Sequence, residues 1–258
     1  MTLSTTDLLG LELHRITEEQ AVAHVVGELR AGRGGWIVTP NLDHLRRVQK
    51  DAEFRSLCAE ADLRVADGRP LIWASALQGR RLPERVAGSD LIQSLSAAAA
   101  EADYSVFFLG GDEGTAERAA QELQRRCPRL RVAGTHYPPF GFERDPIQLA
   151  ELRQALLDAQ PDIIYVGLGS PKQERLIRDL RGALPNAWWM GVGISFSFLC
   201  GDVARAPRWV QKAGFEWMHR LVQEPRRLAW RYLGVGLPFA VRLFGHSLRV
   251  RFAGHRGG

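Results

Sequence analysis

A chain of 258 residues, 45% hydrophobic and 24% charged, is long enough to bury a full core. It suits one α/β domain with an appendage and is short for two full Rossmann domains facing across a cleft. The net charge of +5 is uneven: residues 204–258 hold ten Arg and one Lys against Glu216 and Glu224, while the preceding 203 residues carry −4. A near-neutral body with a basic tail suggests an anionic partner surface, either membrane or nucleic acid.

Strand-like and helix-like patterns alternate from Gly35 to Gly193, as expected of a parallel sheet covered by helices on both faces. Strands are predicted near 35–39, 62–66, 104–109, 130–134, 162–167 and 187–192. Helices are predicted near 42–60, 69–79, 89–102, 113–126, 146–159 and 171–182. After Gly193 the composition shifts to Arg, Trp and other aromatics around Pro207, Pro225 and Pro238, which sets a boundary near Val203. The expected division is a Rossmann-like catalytic domain over 1–203 and a basic helical appendage over 204–258. The longest uncharged apolar stretch of the tail, 232–241, is ten residues, contains Pro238 and is too short to span a bilayer.

Cys58, Cys127 and Cys200 are odd in number and lack C-x-x-C spacing, which argues against a disulfide frame or a structural zinc site. They read as buried thiols in a reducing compartment. The first twenty residues show no basic region followed by an apolar core, so no signal peptide is read. None of the 13 Asp residues forms an Asp-x-Asp pair of the kind that holds a metal on a nucleotide diphosphate.

In open α/β sheets, ligands bind beyond the carboxyl ends of the strands. Thr39 and Asn41, Asp67 and Gly68, then Gly110, Gly111 and Asp112, and finally 167–174 all fall at such ends. The run PDIIYVGLGSPKQERLIRDL, 161–180, is the most informative. Its strand pattern stops at Gly167 and Gly169, and Ser170 with Pro171 is expected to cap and open a helix. Such a turn presents backbone N–H groups and the positive end of a helix dipole, which suits a phosphate, with Lys172, Gln173 and Glu174 at its mouth. The same features also make an ordinary capped turn with a solvated charged face.

DLRVADGRP at 62–70, ERVAGSDL at 84–91, FFLGGDEG at 107–114 and the Arg/Trp-rich segment 205–233 follow in this order. Together with the 161–180 run they resemble the WecG/TagA/CpsF glycosyltransferase family, family 26, from about Thr39 to Leu233. The resemblance implies an inverting, metal-independent transferase that needs no cofactor. Its donor would be a UDP-activated sugar, often N-acetylmannosamine or its uronic acid. Its acceptor would be an undecaprenyl-diphosphate-linked sugar at the inner leaflet of the cell membrane, for a cell-surface polymer. It also implies a cytoplasmic, peripheral location and a homo-oligomer.

Carried over residue by residue, the resemblance makes Asp67 the catalytic base, although an Asp-Gly turn also satisfies its own backbone. Arg85 is expected to point into the site and offset the diphosphate charge without a metal. Thr39 and Asn41 match a T-x-N signature lining the pocket of the base, and Asn41 could equally cap a helix. Gly68 shares the turn of the base. Gly110 and Gly111 allow close approach of the nucleotide, with Asp112 near the nucleoside. Gly169, Lys172, Gln173 and Glu174 form the donor-side helix mouth, with Gln173 the better candidate for donor contact. Ser89 and Asp90 are expected to cap the following helix. The chain departs from the family's pattern at Ala66, where Pro is frequent, and at Ser197, where Asp is usual; Asp202 is near Ser197 in sequence but is not its equivalent.

In the tail, Arg205, Arg208, Arg220, Arg227 and Arg231 interleave with Trp209, Trp217 and Trp230. An unbroken helix would align Arg220, Arg227 and Arg231 on one face, although Pro225 could divide it. Trp and Arg together suit an anionic membrane interface, where these arginines would dock the protein and handle the acceptor. Basic aromatic tails also bind single-stranded nucleic acid, but no recognised motif for that accompanies this one. The alternative function is a non-catalytic nucleotide- or nucleic-acid-binding module.

Overall fold

The computed structural model describes residues 3–207, 210, 216–223 and 225–254. An antiparallel hairpin, β1 (Thr5–Leu8) and β2 (Leu11–His14), turns through Leu9 and Gly10 at positive φ and leads into α1 (Glu18–Arg30). Thr17 and Gln20 close a capping box at the start of α1, satisfying two otherwise orphaned donors. The alternating pattern that follows gives β3 (Gly35–Val38), α2 (Leu42–Val48), α3 (Ala52–Glu60), β4 (Leu63–Arg64), α4 (Arg69–Leu77) and α5 (Gly88–Glu101). Next come β5 (Ser105–Gly110), α6 (Thr115–Arg126), β6 (Arg131–His136), α7 (Pro146–Ala159), β7 (Ile163–Gly167), α8 (Lys172–Leu180), β8 (Trp188–Gly191) and α9 (Ser195–Cys200).

The six strands β3 to β8 form one parallel sheet in the order β4-β3-β8-β7-β5-β6. The two-residue period of a strand sends successive side chains to opposite faces, and the core divides accordingly. Trp36, Phe107, Leu109, Ile164, Val166 and Trp189 pack on one face beneath α2, α3, α4, α7 and α8. Ile37, Val106, Phe108, Ile163, Tyr165 and Met190 pack on the other beneath α1, α5, α6 and α9. Each fully buried large side chain contributes roughly 1.5–3 kcal/mol of apolar burial, and the central strands β3, β8, β7 and β5, covered on both faces, read as hydrophobic runs, unlike the edge strands β4 and β6.

The expected α/β class and all six sheet strands are present. The helix expected over 42–60 is two helices, because Asp51 leaves the helical conformation and caps α3 by accepting a bond from the Phe54 N–H. The strand expected over 62–66 is regular only at Leu63–Arg64. Its extension is nonetheless held by Val65 N–H to the Val38 carbonyl, 3.1 Å, and Asp67 N–H to the Pro40 carbonyl, 2.8 Å. Ser170 does not cap α8: the cap position falls on Pro171 after a cis peptide bond, and the Ser170 hydroxyl is buried without a partner. Ser89 and Asp90 do not cap α5 either. The chain enters that helix at Ala87 with no side-chain cap, so Asp90 is placed in the first turn.

The tail is helical: α10 (Glu216–Gln223), α11 (Pro225–Ala229), a π-helical turn Trp230–Gly236 and α12 (Leu237–Gly254). The π-helical turn means that α-helical spacing does not place Arg231 on one face with Arg220 and Arg227. α12 lies against α4 and α2, and its Phe239 and Leu243 are buried in the core of that face. Trp217 and Tyr232 meet edge to face at 6.1 Å, joining α10 to the π-helical turn. Among the described residues no helix is long and apolar enough to cross a membrane.

Candidate active site

The helices that follow β3 and β7 lie on one face of the sheet, and those that follow β8 and β5 lie on the other. Because these four strands are adjacent, the chain leaves their carboxyl ends in alternating directions and opens a crevice between them. Two groups of polar residues line this edge.

The first is centred on Asp67. The backbone bond to Pro40 fixes its position beside the end of β3, and Gly68, at φ +151°, turns the chain into α4. Val86 N–H bonds the Ala66 carbonyl at 2.9 Å and so lays the 84–87 segment alongside. That places Arg85 Nη1 3.4 Å from Asp67 Oδ1 and Arg85 Nη2 2.9 Å from Asp90 Oδ2. The other oxygen of Asp90 takes Arg205 Nη1 at 2.6 Å. The row Asp67, Arg85, Asp90, Arg205 thus alternates in sign across the rim and brings the first tail arginine to the site. Thr39 stands next to it: a methyl on Gly88 would approach the Thr39 hydroxyl to 3.3 Å.

The second group lies deeper, with Gln173 and Glu174 buried. Asn41 caps α2, its Oδ1 accepting N–H bonds from Asp43 and His44 at 3.0 and 3.1 Å and lying 2.8 Å from His44 Nδ1. The other ring nitrogen, Nε2, is 3.6 Å from Glu174 Oε1, an ion-pair distance rather than a hydrogen bond. Gln173 Nε2 donates to the same Glu174 oxygen at 3.0 Å, and Gln173 Oε1 accepts from Gly193 N–H at 3.1 Å. The segments after β3, β7 and β8 are therefore stitched together. Burial by itself pushes the Glu174 carboxyl upward, but His44, Gln173 and its own backbone N–H outweigh that and hold it below the ordinary carboxylate value.

The glycines have packing reasons. Gly110, at φ +94°, has no room for a Cβ, which would approach Leu168 to 2.8 Å, and Gly111, at φ +83°, donates its N–H to the Gly167 carbonyl at 2.8 Å. Asp112 is exposed beyond this turn, with its carbonyl accepting Thr115 N–H. Gly169 is at φ +72°, and its carbonyl accepts Gln173 N–H. Lys172 is drawn toward the chain before α7, pairing with Glu143 at 2.7 Å and lying 5.1 Å from the Phe140 ring centroid. Asp202 pairs with Arg118, and Ser197 lies within α9.

Of the tail arginines, Arg205 reaches the rim, whereas Arg231 bonds Asp43 at 2.7 Å and ties the π-helical turn to α2. Arg208 and the side chains of Arg220 and Arg227 lie outside the described residues. One residue of the edge, His44, escapes a reading by motif, its only signal being its spacing of three from the capping Asn41, whereas Asp90 lies in the ERVAGSDL run but is expected there as a cap. Among the described residues no three His, Cys, Asp or Glu side chains gather as a metal site.

Comparison with known proteins gives this edge a context. The description "Glycosyl transferase WecG/TagA/CpsF family" matches residues 6–253. A relative from Bacillus spizizenii, named N-acetylglucosaminyldiphosphoundecaprenol N-acetyl-beta-D-mannosaminyltransferase, is 32% identical over 203 residues, covering 79% of this chain and 76% of its own. The chain belongs to the WecG/TagA/CpsF family of glycosyltransferases.

Proposed function

We propose that this protein transfers an N-acetylmannosamine-type sugar from a UDP-sugar to a polyprenyl-diphosphate-linked amino sugar, with inversion and without a metal. The observation that carries the reading is Asp67, pinned by its backbone at a strand end with the Arg85 guanidinium beside it. Its side chain is about a third exposed, open to an incoming hydroxyl. The acceptor oxygen attacks the anomeric carbon as the bond to the donor diphosphate breaks. The proton of the hydroxyl passes to the Asp67 carboxylate, and the leaving charge stays on UDP, where Arg85 and the N–H groups at the start of α8 offset it.

The lipid-linked acceptor named for the relative supports a membrane surface as the working location, here the inner leaflet, with the protein cytoplasmic and peripheral. α12 supplies a surface for it. Leu237, Val241, Leu248 and Phe252 recur at i, i+4, i+11 and i+15 and are all exposed, whereas Phe239, Ala240 and Leu243 turn inward. Arg242 and Arg249 are exposed on the same helix, and no Asp or Glu occurs from Pro225 to the end of the chain. An apolar stripe with cations and no acids suits an anionic headgroup layer. A homo-oligomer belongs to the same reading through the family.

Purified protein given UDP-N-acetylmannosamine and a short-chain prenyl-diphosphate N-acetylglucosamine tests the reaction. The expected product is the disaccharide diphosphate lipid by mass spectrometry, formed equally in EDTA. If no UDP-sugar in a panel yields a transferred product, the chain is a binding module, and if Mg²⁺ or Mn²⁺ is required after chelation, the metal-free route is wrong.

A further inference from the structure

His44 belongs to none of the motifs that mark the family resemblance, yet it joins two segments of the crevice. Its Nδ1 faces Asn41 Oδ1, and the identity of that atom is fixed because it accepts the backbone N–H groups of Asp43 and His44. Nδ1 must therefore donate and carry a proton. Its Nε2 faces Glu174 Oε1 at 3.6 Å. A neutral ring with its proton on Nδ1 would turn a lone pair toward a carboxylate, so the ring protonated on both nitrogens is the form that satisfies both neighbours. Glu174 needs such a partner: it is buried, and its second oxygen, Oε2, has no hydrogen bond. An ionised carboxylate in that setting is stable only beside a positive charge.

His44 is the cation whose ring faces the Glu174 carboxylate directly. On α2, Asp43 is engaged by Arg46 and Arg231, and Arg47 lies over the Phe54 ring. From α3, Phe54 packs on the imidazole with ring centroids 5.7 Å apart. Arg175, the next residue along α8, also feels the Glu174 charge but is bound to Glu53 at 2.7 Å, and the Cys58 thiol is pushed up to about 12, chiefly by burial and further by Glu174, so it stays neutral.

We propose that His44 is a positioning residue of the donor pocket: its imidazolium pins Glu174, and through Glu174 the Gln173 amide and the Gly193 backbone, so that the crevice keeps its shape only while His44 is protonated. This rests on the donor-pocket reading above. The pinned Gln173 amide spends its nitrogen on Glu174 and its oxygen on Gly193, which fixes the first turn of α8 against the segment after β8. Loss of the ring proton releases Glu174 and loosens both segments, so donor affinity falls as pH rises.

Calorimetric titration with UDP from pH 6 to 9 tests the coupling, using wild type, His44→Ala, His44→Gln and Glu174→Gln. Wild-type affinity is expected to fall roughly 10-fold across that range, and His44→Ala to bind roughly 10-fold more weakly at pH 6. His44→Gln, which keeps a donor but cannot titrate, restores part of that affinity and flattens the pH dependence, and Glu174→Gln flattens it too. Folded variants that bind UDP as wild type does at every pH would overturn the proposal. Imidazole nitrogen NMR of the ligand-free protein reads the pin without the donor: two ring N–H groups on His44 near pH 6 are expected, and one alone overturns the proposal. If wild type fails to bind UDP at any pH, the donor reading fails and takes the pocket role of His44 with it, while the spectra still decide the charge state.

Discussion

Glu174 and Asp67 stand at the same edge of one sheet, but the Glu174 side chain is 3% exposed and that of Asp67 30%. The floor around Glu174 is closed, with both functional ends of Gln173 bonded and a histidine opposite the carboxylate. The rim around Asp67 is a row of partly exposed ion pairs, whose carboxylates water reaches more readily than the guanidiniums between them, so an arriving anion finds the rim easier to rearrange than the floor. Shape is held where exchange is expensive, and chemistry is done where exchange is cheap.

The largest effect expected from breaking this contrast is on turnover. Asp67→Asn should lower kcat roughly 100-fold or more, the usual scale for losing a general base, with the fold intact by circular dichroism. On the floor the loss should appear in stability instead. Glu174→Ala removes the carboxylate of a buried pair and is expected to cost about 3 kcal/mol in denaturant unfolding.

The depressed carboxyl of Glu174 adds stability above its unfolded value of 4.5, and that stability is lost as pH falls through the lower folded value. The advantage of wild type over Glu174→Gln in melting temperature should therefore shrink below about pH 4.5. An advantage that persists unchanged at pH 3 would contradict the ionised, paired carboxylate.

In the tail, Val241→Ser with Phe252→Ser should release the protein from anionic vesicles, each exposed side chain giving up part of the roughly 1.5–3 kcal/mol that full burial supplies. Arg231→Ala, by contrast, removes a surface pair with Asp43 and should cost at most about 1 kcal/mol of stability while leaving sedimentation with vesicles unchanged. If Arg231→Ala releases the protein and the double Ser variant does not, the docking surface has been assigned to the wrong side chains. Smallest of all, Cys58 should resist alkylation in the native state, being buried with its thiol at about 12.

The sheet was legible because its strands are apolar runs separated by glycine turns, and burial on both faces demands that pattern. The N-terminal hairpin and α1 were not read, since two four-residue strands joined by Leu9 and Gly10 carry little periodicity. The rim was half legible. Asp67 and Arg85 lie in motifs, but the role of Asp90 depends on a helix that begins at Ala87 without a side-chain cap, and no residue pattern announces that. The floor was visible as a sequence signature and not as a contact, because His44 and Glu174 are 130 residues apart and meet only when β3 and β7 are placed in one sheet. Arg231 was read as a membrane residue from its helical spacing and its Trp neighbours, and its pairing with Asp43, 188 positions away, was beyond reach of any local pattern.

Titration of UDP into Asp67→Asn, alongside turnover measured on the same preparation, tests the division of labour most directly. A carboxylate that acts as base at the rim predicts UDP affinity within about threefold of wild type while kcat falls 100-fold or more. UDP binding lost in proportion to turnover would make Asp67 part of the binding surface and contradict the account.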